Sequence, residues 1–467
     1  MARNGFAFAI VLSLVVPAWP VASEPDLGAA TARVRTLLEE LVTANPENPP
    51  GSEARVVAIG AARLRAAGIP FQVFEFAPGR SNLVARLKGD GSAPPLLLLA
   101  HIDVVPTAGQ PWTVPPHQVT EKGDRIYGRG VLDDLSMAAV EMEIMLRLHE
   151  SKTALRRDVI LAWTGGEETG GDGIRWQLEN HPEVLADAGL AFNEGGILEL
   201  GTGGTVTRAT LVVAEKTTQD FTFRAKGTAG HSSAPWPDNA INSLARALDR
   251  LARNPFPPRL LAATRAYFGA AAATEEPKLA EAMRAVAAAP GSLPEGALEV
   301  IAAKPRMAAL LRTTCVATQI SGGTARNVLP AEATANVNCR ILPDQSVEEV
   351  RRSLLEIVAD PGVEIVAAGT TVEGRAVPVE GEGPSAFRQV VERLHPGATF
   401  VPMLVNYFTD SRSLTALGIS AYGIGIFPVA EHDTSTMHGT DERIPTASLR
   451  SGIALLDGLV YRLAVKR

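Results

Sequence analysis

Apolar residues recur at two periods along this chain, and the changes of period mark its elements. LGAATARVRTLLEELVTA (27–44) and SEARVVAIGAARLRAAG (52–68) space their apolar positions three and four apart, which puts them on one helical face. FQVFEF, SNLVARL, PPLLLLA, DVILAWT and LAFNEG are short and either alternate or run continuously apolar, as strands do. Helix and strand signals alternate in this way from about Pro25 to Leu200, which predicts an α/β sheet with helices on its faces. From about Glu215 the order changes. TTQDFTFRAKG reads as a strand, NAINSLARALDRLA as a helix, two further strands surround Cys315 and Cys339, and VEEVRRSLLEIVAD is again helical. That is an α+β unit, and within it residues 255–310 form an Ala- and Pro-rich helical insertion without site chemistry. The first pattern resumes near Gly374 and closes on the helix TASLRSGIALLDGLVYRLA. The expected division is therefore 24–213 and 374–467 for one unit, with 214–373 inserted between them.

The amino terminus carries a different signal. In MARNGFAFAIVLSLVVPAWPVASEP, Arg3 supplies a charged start, Phe6 to Val16 an apolar core, and Val21-Ala22-Ser23 a small-residue cleavage site. Residues 1–23 are thus expected to be a secretory signal, with an uncleaved anchor as the alternative. The apolar run is too short for a spanning helix, so no stable membrane association is expected after cleavage and the location is periplasmic or secreted. The formal net charge is −7 and no basic run occurs, which argues against nucleic acid and anionic membranes as partners. The chain has two cysteines. Cys315 opens the strand TCVATQIS and Cys339 closes ATANVNCRIL, with a turn near 325–330 midway, so an antiparallel hairpin would set them opposite each other. A disulfide is expected in an oxidising compartment; two buried free thiols are the alternative.

Candidate chemistry gathers where apolar strands end. LLLLAHIDVV delivers His101 and Asp103 to one side of the chain, because strand positions two apart face the same way. Open α/β sheets bind ligands at the carboxyl ends of their strands. IYGRGVLDDLS carries Asp133 and Asp134, DVILAWTGGEETGG carries Glu167 and Glu168, LAFNEGG carries Glu194, and TSTMHGTDERIP carries His438. Taken singly, such acids are usually turn residues or part of a solvated face. Together they are imidazole and carboxylate ligands of the kind that zinc takes, and a bridging carboxylate lets two metals sit about 3.5–4 Å apart. Cobalt or manganese would tolerate the same set.

AHIDVVP, GRGVLDD, TGGEETGG, NEGG and the late MHG, in this order, resemble the M20 family of zinc-dependent metallopeptidases. That family includes glutamate carboxypeptidases, aminoacylases and the yeast vacuolar carboxypeptidase S group. The resemblance covers nearly the whole chain from about Asn45. It implies an α/β fold in which a discontinuous catalytic domain, with a mixed sheet flanked by helices, carries an inserted α+β lid and dimerisation domain. It also implies two zinc ions, one held by His101, Asp133 and Glu194 and the other by Asp133, Glu168 and His438. Glu167 would be the general base and Asp103 the acid that orients His101. FRAKGTAGHSSAPWPDNAI is similar to the family's lid motif, in which His231 would reach the active site of a partner subunit in a homodimer. SGGTARNVLPAEATANVNCRILP is similar to the family's substrate-carboxylate strip, with Asn327 and Arg340 as the holders. TDSRSL, with Asp410 and Arg412, resembles a segment of the active-site floor, without an assigned role.

One departure stands out. The family commonly shows Asp-Asp-Lys-Gly where this chain has Asp133-Asp134-Leu135-Ser136, which removes a positive charge but leaves the bridging position intact. GHSSA lacks the closing Gly of a nucleophile elbow, with Ala234 in its place, so a serine hydrolase is disfavoured. The activity implied is hydrolysis of an amide beside a free carboxylate in short peptides, by a carboxypeptidase or dipeptidase. An N-acyl amino acid amidohydrolase is the alternative. A silent peptide-binding protein is the remote third, against which the intact Glu167 argues.

Overall fold

The computed structural model describes residues 26–369 and 371–466; the expected signal at 1–23 lies outside them. A ten-stranded mixed sheet forms the larger domain. At its centre, Val159–Thr164, Leu96–His101, Leu190–Asn193 and Ser420–Ile424 lie side by side and parallel. The first two strands are buried along their whole length, which is what continuous apolar runs demand of a sheet covered on both faces. Each fully buried Leu of the run Leu96–Leu99 contributes about 1.5–3 kcal/mol, so the register of this centre is strongly specified. Antiparallel strands complete the sheet, Phe71–Ala77 and Arg80–Leu87 on one side and Val206–Glu215 on the other.

The helix Leu135–Glu150 is buried from Leu135 to Met145 without interruption. It lies against the sheet and is covered in turn by Leu27–Thr43 and Thr446–Ala464, which explains an apolar surface on all its sides. Its two buried acids differ. Glu143 accepts a hydrogen bond from Arg33 Nε at 3.0 Å, whereas both oxygens of Glu141 lack a partner among the described residues, and burial raises its pKa.

The inserted domain has its own core. Four antiparallel strands run in the order Thr314–Gly322, Glu332–Ile341, Thr217–Lys226, Val363–Ala368, and the helices Ala240–Arg253 and Val347–Val358 pack on them. A short ribbon pairs Gly230–His231 with Val328–Leu329. Between these elements the chain forms the helices Ala262–Ala271, Pro277–Ala288, Glu295–Ala302 and Pro305–Ala309. They do not extend the inserted sheet. Ala262–Ala271 packs on Thr399–Val405 of the large sheet, and Val401 joins the core of this helical group. Thr399–Val405 pairs in parallel with Val206–Glu215, so the helices cover a strand that would otherwise end the sheet.

Cys315 and Cys339 are directly opposed across the antiparallel pair and are joined as a disulfide. The bond closes a loop spanning 24 residues in sequence, for which loop entropy gives a stabilisation of roughly 3 kcal/mol. Reduction should add two protons to the parent mass and lower the urea midpoint by an amount consistent with that energy. A Cys339→Ser variant should show the lower midpoint already and no two-proton shift on reduction. Equal midpoints for oxidised and reduced protein would contradict a stabilising bond.

Candidate metal centre

The parallel centre of the sheet brings its carboxyl ends to one edge, and the polar segments follow there. Leu96–His101 ends on a histidine that is almost fully buried, and Val159–Thr164 runs into Gly165-Gly166-Glu167-Glu168. That turn needs its glycines. Gly166 has φ +80°, and a Cβ on Gly173 would stand 2.1 Å from the carbonyl oxygen of Gly165.

Asp103 holds the same turn from below. Its Oδ1 accepts from the backbone N–H of Glu167 at 3.1 Å, and its Oδ2 accepts from Glu168 N–H at 3.2 Å and Asn48 Nδ2 at 2.8 Å. Its carboxylate lies 3.6 Å from His101 Nδ1, while its backbone carbonyl is nearer to that nitrogen, at 3.0 Å. Both the carbonyl and the carboxylate of this expected orienting partner thus face His101 Nδ1, and the carboxylate also aligns the two glutamates. Asn48 was invisible to the motif reading because it works from 55 residues away.

Asp133 occupies the middle. One oxygen faces His101 Nε2 at 2.8 Å and the other faces His438 Nε2 at 3.0 Å. His438 Nε2 also lies 3.2 Å from Glu168 Oε1. Ligand atoms of His101, Asp133 and Glu168 fall within 4.8 Å of one another. The backbone of Asp133 is held by a residue the motif reading did not single out: Glu442 Oε1 accepts from Leu132 N–H at 2.8 Å and Asp133 N–H at 3.1 Å. Glu442 is itself buried and paired with the buried Arg129 at 2.6 Å. His438 has a left-handed φ of 59°, and its carbonyl accepts from Gln110 Nε2 at 2.9 Å.

Electrostatics describes a site loaded with protons. Burial opposes charge on His101, yet Asp103 and Asp133 raise its pKa well above the usual imidazole range. Hydrogen bonds to Asp133 and Glu168 push His438 up to about 10. Burial raises Glu167, with further push from Glu194, Asp410 and Glu168 against the pull of His101. Glu194 is raised by burial and by Asp133 and Asp134. Burial likewise pushes Asp410 up to about 7. Here two imidazoles on opposite oxygens of one carboxylate, ringed by acids that raise one another, form a donor set that fits divalent cations better than protons.

Glu194 completes the ring. It shares with Asp133, Glu167, Glu168 and His438 a cavity of about 380 Å³. Ile197, Ile426, Phe427, Val429 and Met437 give the same cavity an apolar lining. The inserted-domain residues lie elsewhere. His231 is exposed on the short ribbon, where its Nδ1 bonds Ser233 Oγ at 2.8 Å, Asn327 is exposed in the turn just before Val328, and neither lines this cavity. Arg340 is half-buried on Glu332–Ile341, and its Nη1 donates to Thr218 Oγ1 at 2.6 Å and to the Asn406 carbonyl at 2.9 Å.

The sequence pattern of peptidase family M20/M25/M40 matches residues 97–462, which span every proposed ligand. The chain belongs to this family. It is an enzyme of the metallopeptidase and amidohydrolase type, acting on amide bonds. The human N-fatty-acyl-amino acid synthase/hydrolase PM20D1 is 29% identical over 388 residues, covering 81% of this chain and 76% of that protein. A probable carboxypeptidase S-like 2 of Dictyostelium discoideum is 27% identical over 388 residues, covering 78% and 70%. The crystal structure of Bacillus subtilis YXEP, described as a dinuclear metal binding peptidase from the M20 family, shares the fold. Its TM-score is 0.60 at 15% identity, with 92% of this chain and 98% of that one covered. The mixed sheet flanked by helices and the inserted lid domain are those of the family.

Metal binding should release protons. At pH 8 a histidine of ordinary pKa is already neutral, but His438, raised to about 10, still carries its proton and must lose it to ligate. Apparent metal affinity should therefore strengthen as pH rises towards 10. Zinc added to weakly buffered metal-free protein at pH 8 should acidify the solution in proportion to the protein present. Binding without proton release would contradict the electrostatics of the site.

Proposed function

We propose that this enzyme is a dinuclear-metal amidohydrolase that removes an apolar acyl group from an N-acyl amino acid. The observation that carries this reading is that one cavity combines the cluster of acids with an apolar lining of Ile197, Ile426, Phe427, Val429 and Met437. One zinc would be held by His101, Asp133 and Glu194, and the other by Asp133, Glu168 and His438. Bound metals supply a Lewis acid for the scissile carbonyl and lower the pKa of water. Glu167 is held by its backbone on Asp103, and its buried carboxylate has a raised affinity for protons. It can therefore accept a proton from water and pass it to the leaving nitrogen.

The carboxylate of the amino acid would be held from the lid. Among the described residues both hydrogen bonds of Arg340 use Nη1, which leaves Nε and Nη2 as donors for a carboxylate. Asn327, whose carbonyl accepts from the N–H of Ser232 beside His231, would join it from a second copy, as His231 would. A substrate clamped at that end directs its acyl end into the apolar cavity, and the name of the human relative supports such a substrate. The same machinery serves an exopeptidase for apolar residues, the reading supported by the name of the Dictyostelium relative.

His231 is exposed and outside the cavity, which supports its use in trans. The edge strand Thr314–Gly322 supports a second copy as the partner, because Val316 and Ile320 are 58% and 67% exposed there. The amino-terminal pattern and the Cys315–Cys339 bond support an exported, periplasmic or secreted enzyme.

A panel of dipeptides and N-acyl amino acids, offered to zinc-loaded protein, should give the highest kcat/KM for long apolar acyl groups. Glu167→Ala should keep the parent metal content and lose turnover by about 100-fold or more. Faster cleavage of dipeptides would favour the exopeptidase, and full activity in the variant would remove Glu167 from the reaction. A second experiment addresses the dimer: inactive His231→Ala and Glu167→Ala chains, mixed and refolded together, should regain activity. No recovery would mean that each chain works alone.

A further inference from the structure

The Glu194 loop is packed tightly on one side and tethered by a single hydroxyl on the other. A Cβ on Gly423 would stand 2.7 Å from the Glu194 carbonyl oxygen, and one on Gly196 would stand 2.6 Å from Gly425 N. Those contacts leave no room behind the loop. In front, Tyr407 Oη donates to the carbonyl of Gly195 at 2.5 Å, and the phenol lines the cavity beside Glu194. Gly195 has φ +115°, a conformation that gives the residue after a metal ligand little support of its own.

The peptide that carries Tyr407 is fixed from two directions. Arg340, on the lid strand Glu332–Ile341, donates to the Asn406 carbonyl at 2.9 Å. Arg412 Nη2 donates to the Tyr407 carbonyl at 3.1 Å and to the Lys216 carbonyl at 2.8 Å, at the junction between the two domains. Thr409, two residues on, is held through its N–H and hydroxyl by the buried Glu215. A continuous path of hydrogen bonds therefore runs from a lid arginine, through one peptide and one phenol, to the residue beside a metal ligand.

We infer that Tyr407 is a positioning residue for Glu194, and that it ties the aim of this ligand to the seating of the lid through Arg340 and the Asn406 carbonyl. The inference rests on the proposed metal centre and not on the choice of substrate. Arg340, assigned above to the substrate carboxylate, thereby touches the acyl-side chemistry as well. The phenol makes no contribution as a ligand; it sets where the Glu194 carboxylate points. Partners that orient a ligand are worth about 10–100-fold in metal affinity.

The test is equilibrium zinc titration of metal-free protein against a competing chromophoric chelator, with parent, Tyr407→Phe, Arg340→Met and the double variant. Tyr407→Phe keeps the ring and removes only the hydroxyl. One of its two sites should weaken about 10-fold or more while the other keeps parent affinity and the metal-free melting temperature is unchanged. Arg340→Met should weaken the same site, and the double variant should be no worse than Tyr407→Phe alone, since both break one path. Parent affinity at both sites in either single variant, or additive losses in the double, overturns the inference. So does a loss at both sites with a lowered melting temperature, which marks a general packing role. A parent protein that binds fewer than two zinc ions fails at the first step and overturns the metal centre itself, which separates that failure from the variant results.

Discussion

Everything near the site is organised around the Asp133 carboxylate, held between two imidazoles from distant parts of the chain. A largely buried carboxylate with one oxygen towards the buried His101 and the other towards the half-exposed His438 cannot be displaced without losing both imidazoles. His438 comes from the last fifth of the sequence, so this contact closes the large domain across the whole inserted unit. Glu442 secures the arrangement by capping the two amides that lead into Asp133, and Arg129 neutralises Glu442 in turn. Chemistry and chain closure thus use the same residues.

The reason the cluster exists at all lies in the sheet. Four parallel strands end at one edge; three hand polar residues to it, namely His101, the Glu167–Glu168 turn and Glu194, and the fourth hands over the apolar Gly425 segment. Buried apolar strands supply rigid posts; glycines after them let the chain turn within a few ångströms. Acids that would repel one another in a flexible loop are held together here because the strands beneath them have nowhere else to go. Burial raises the proton affinities of Glu167 and Glu194, and that crowding raises them further.

Much of this was legible in the chain. His101, Glu167, Glu168 and Glu194 could be read because they follow short apolar strands, Asp133 and His438 because of the motifs around them, and the opposed cysteines because an antiparallel hairpin is symmetric about its turn. Asn48, Glu442 and Tyr407 could not. Glu442 and Tyr407 act on backbone groups, where side-chain type says little, and Asn48 meets the Asp103 carboxylate from 55 residues away; the amides that Glu442 holds are 309 and 310 residues away in sequence. The helical insertion shows another limit. Its periodicity says that faces must be buried, but not that the covering surface is Val401 and its strand. Asp103 illustrates a third: a residue two after a histidine suggested a side-chain contact, and the tighter contact is made by its carbonyl.

That insertion has a consequence for how the chain tolerates change. It holds no ligand, and its length invites the view that it is ornamental. Yet the strand it covers, Thr399–Val405, runs straight into Asn406–Asp410, so its footing is the footing of Tyr407 and Phe408 in the cavity lining. A natural or engineered shortening of the helices would leave an open, apolar ribbon at the margin of the sheet, prone to recruit a neighbour. The segment is better understood as a splint, and its substitutions should be judged by how they affect that strand.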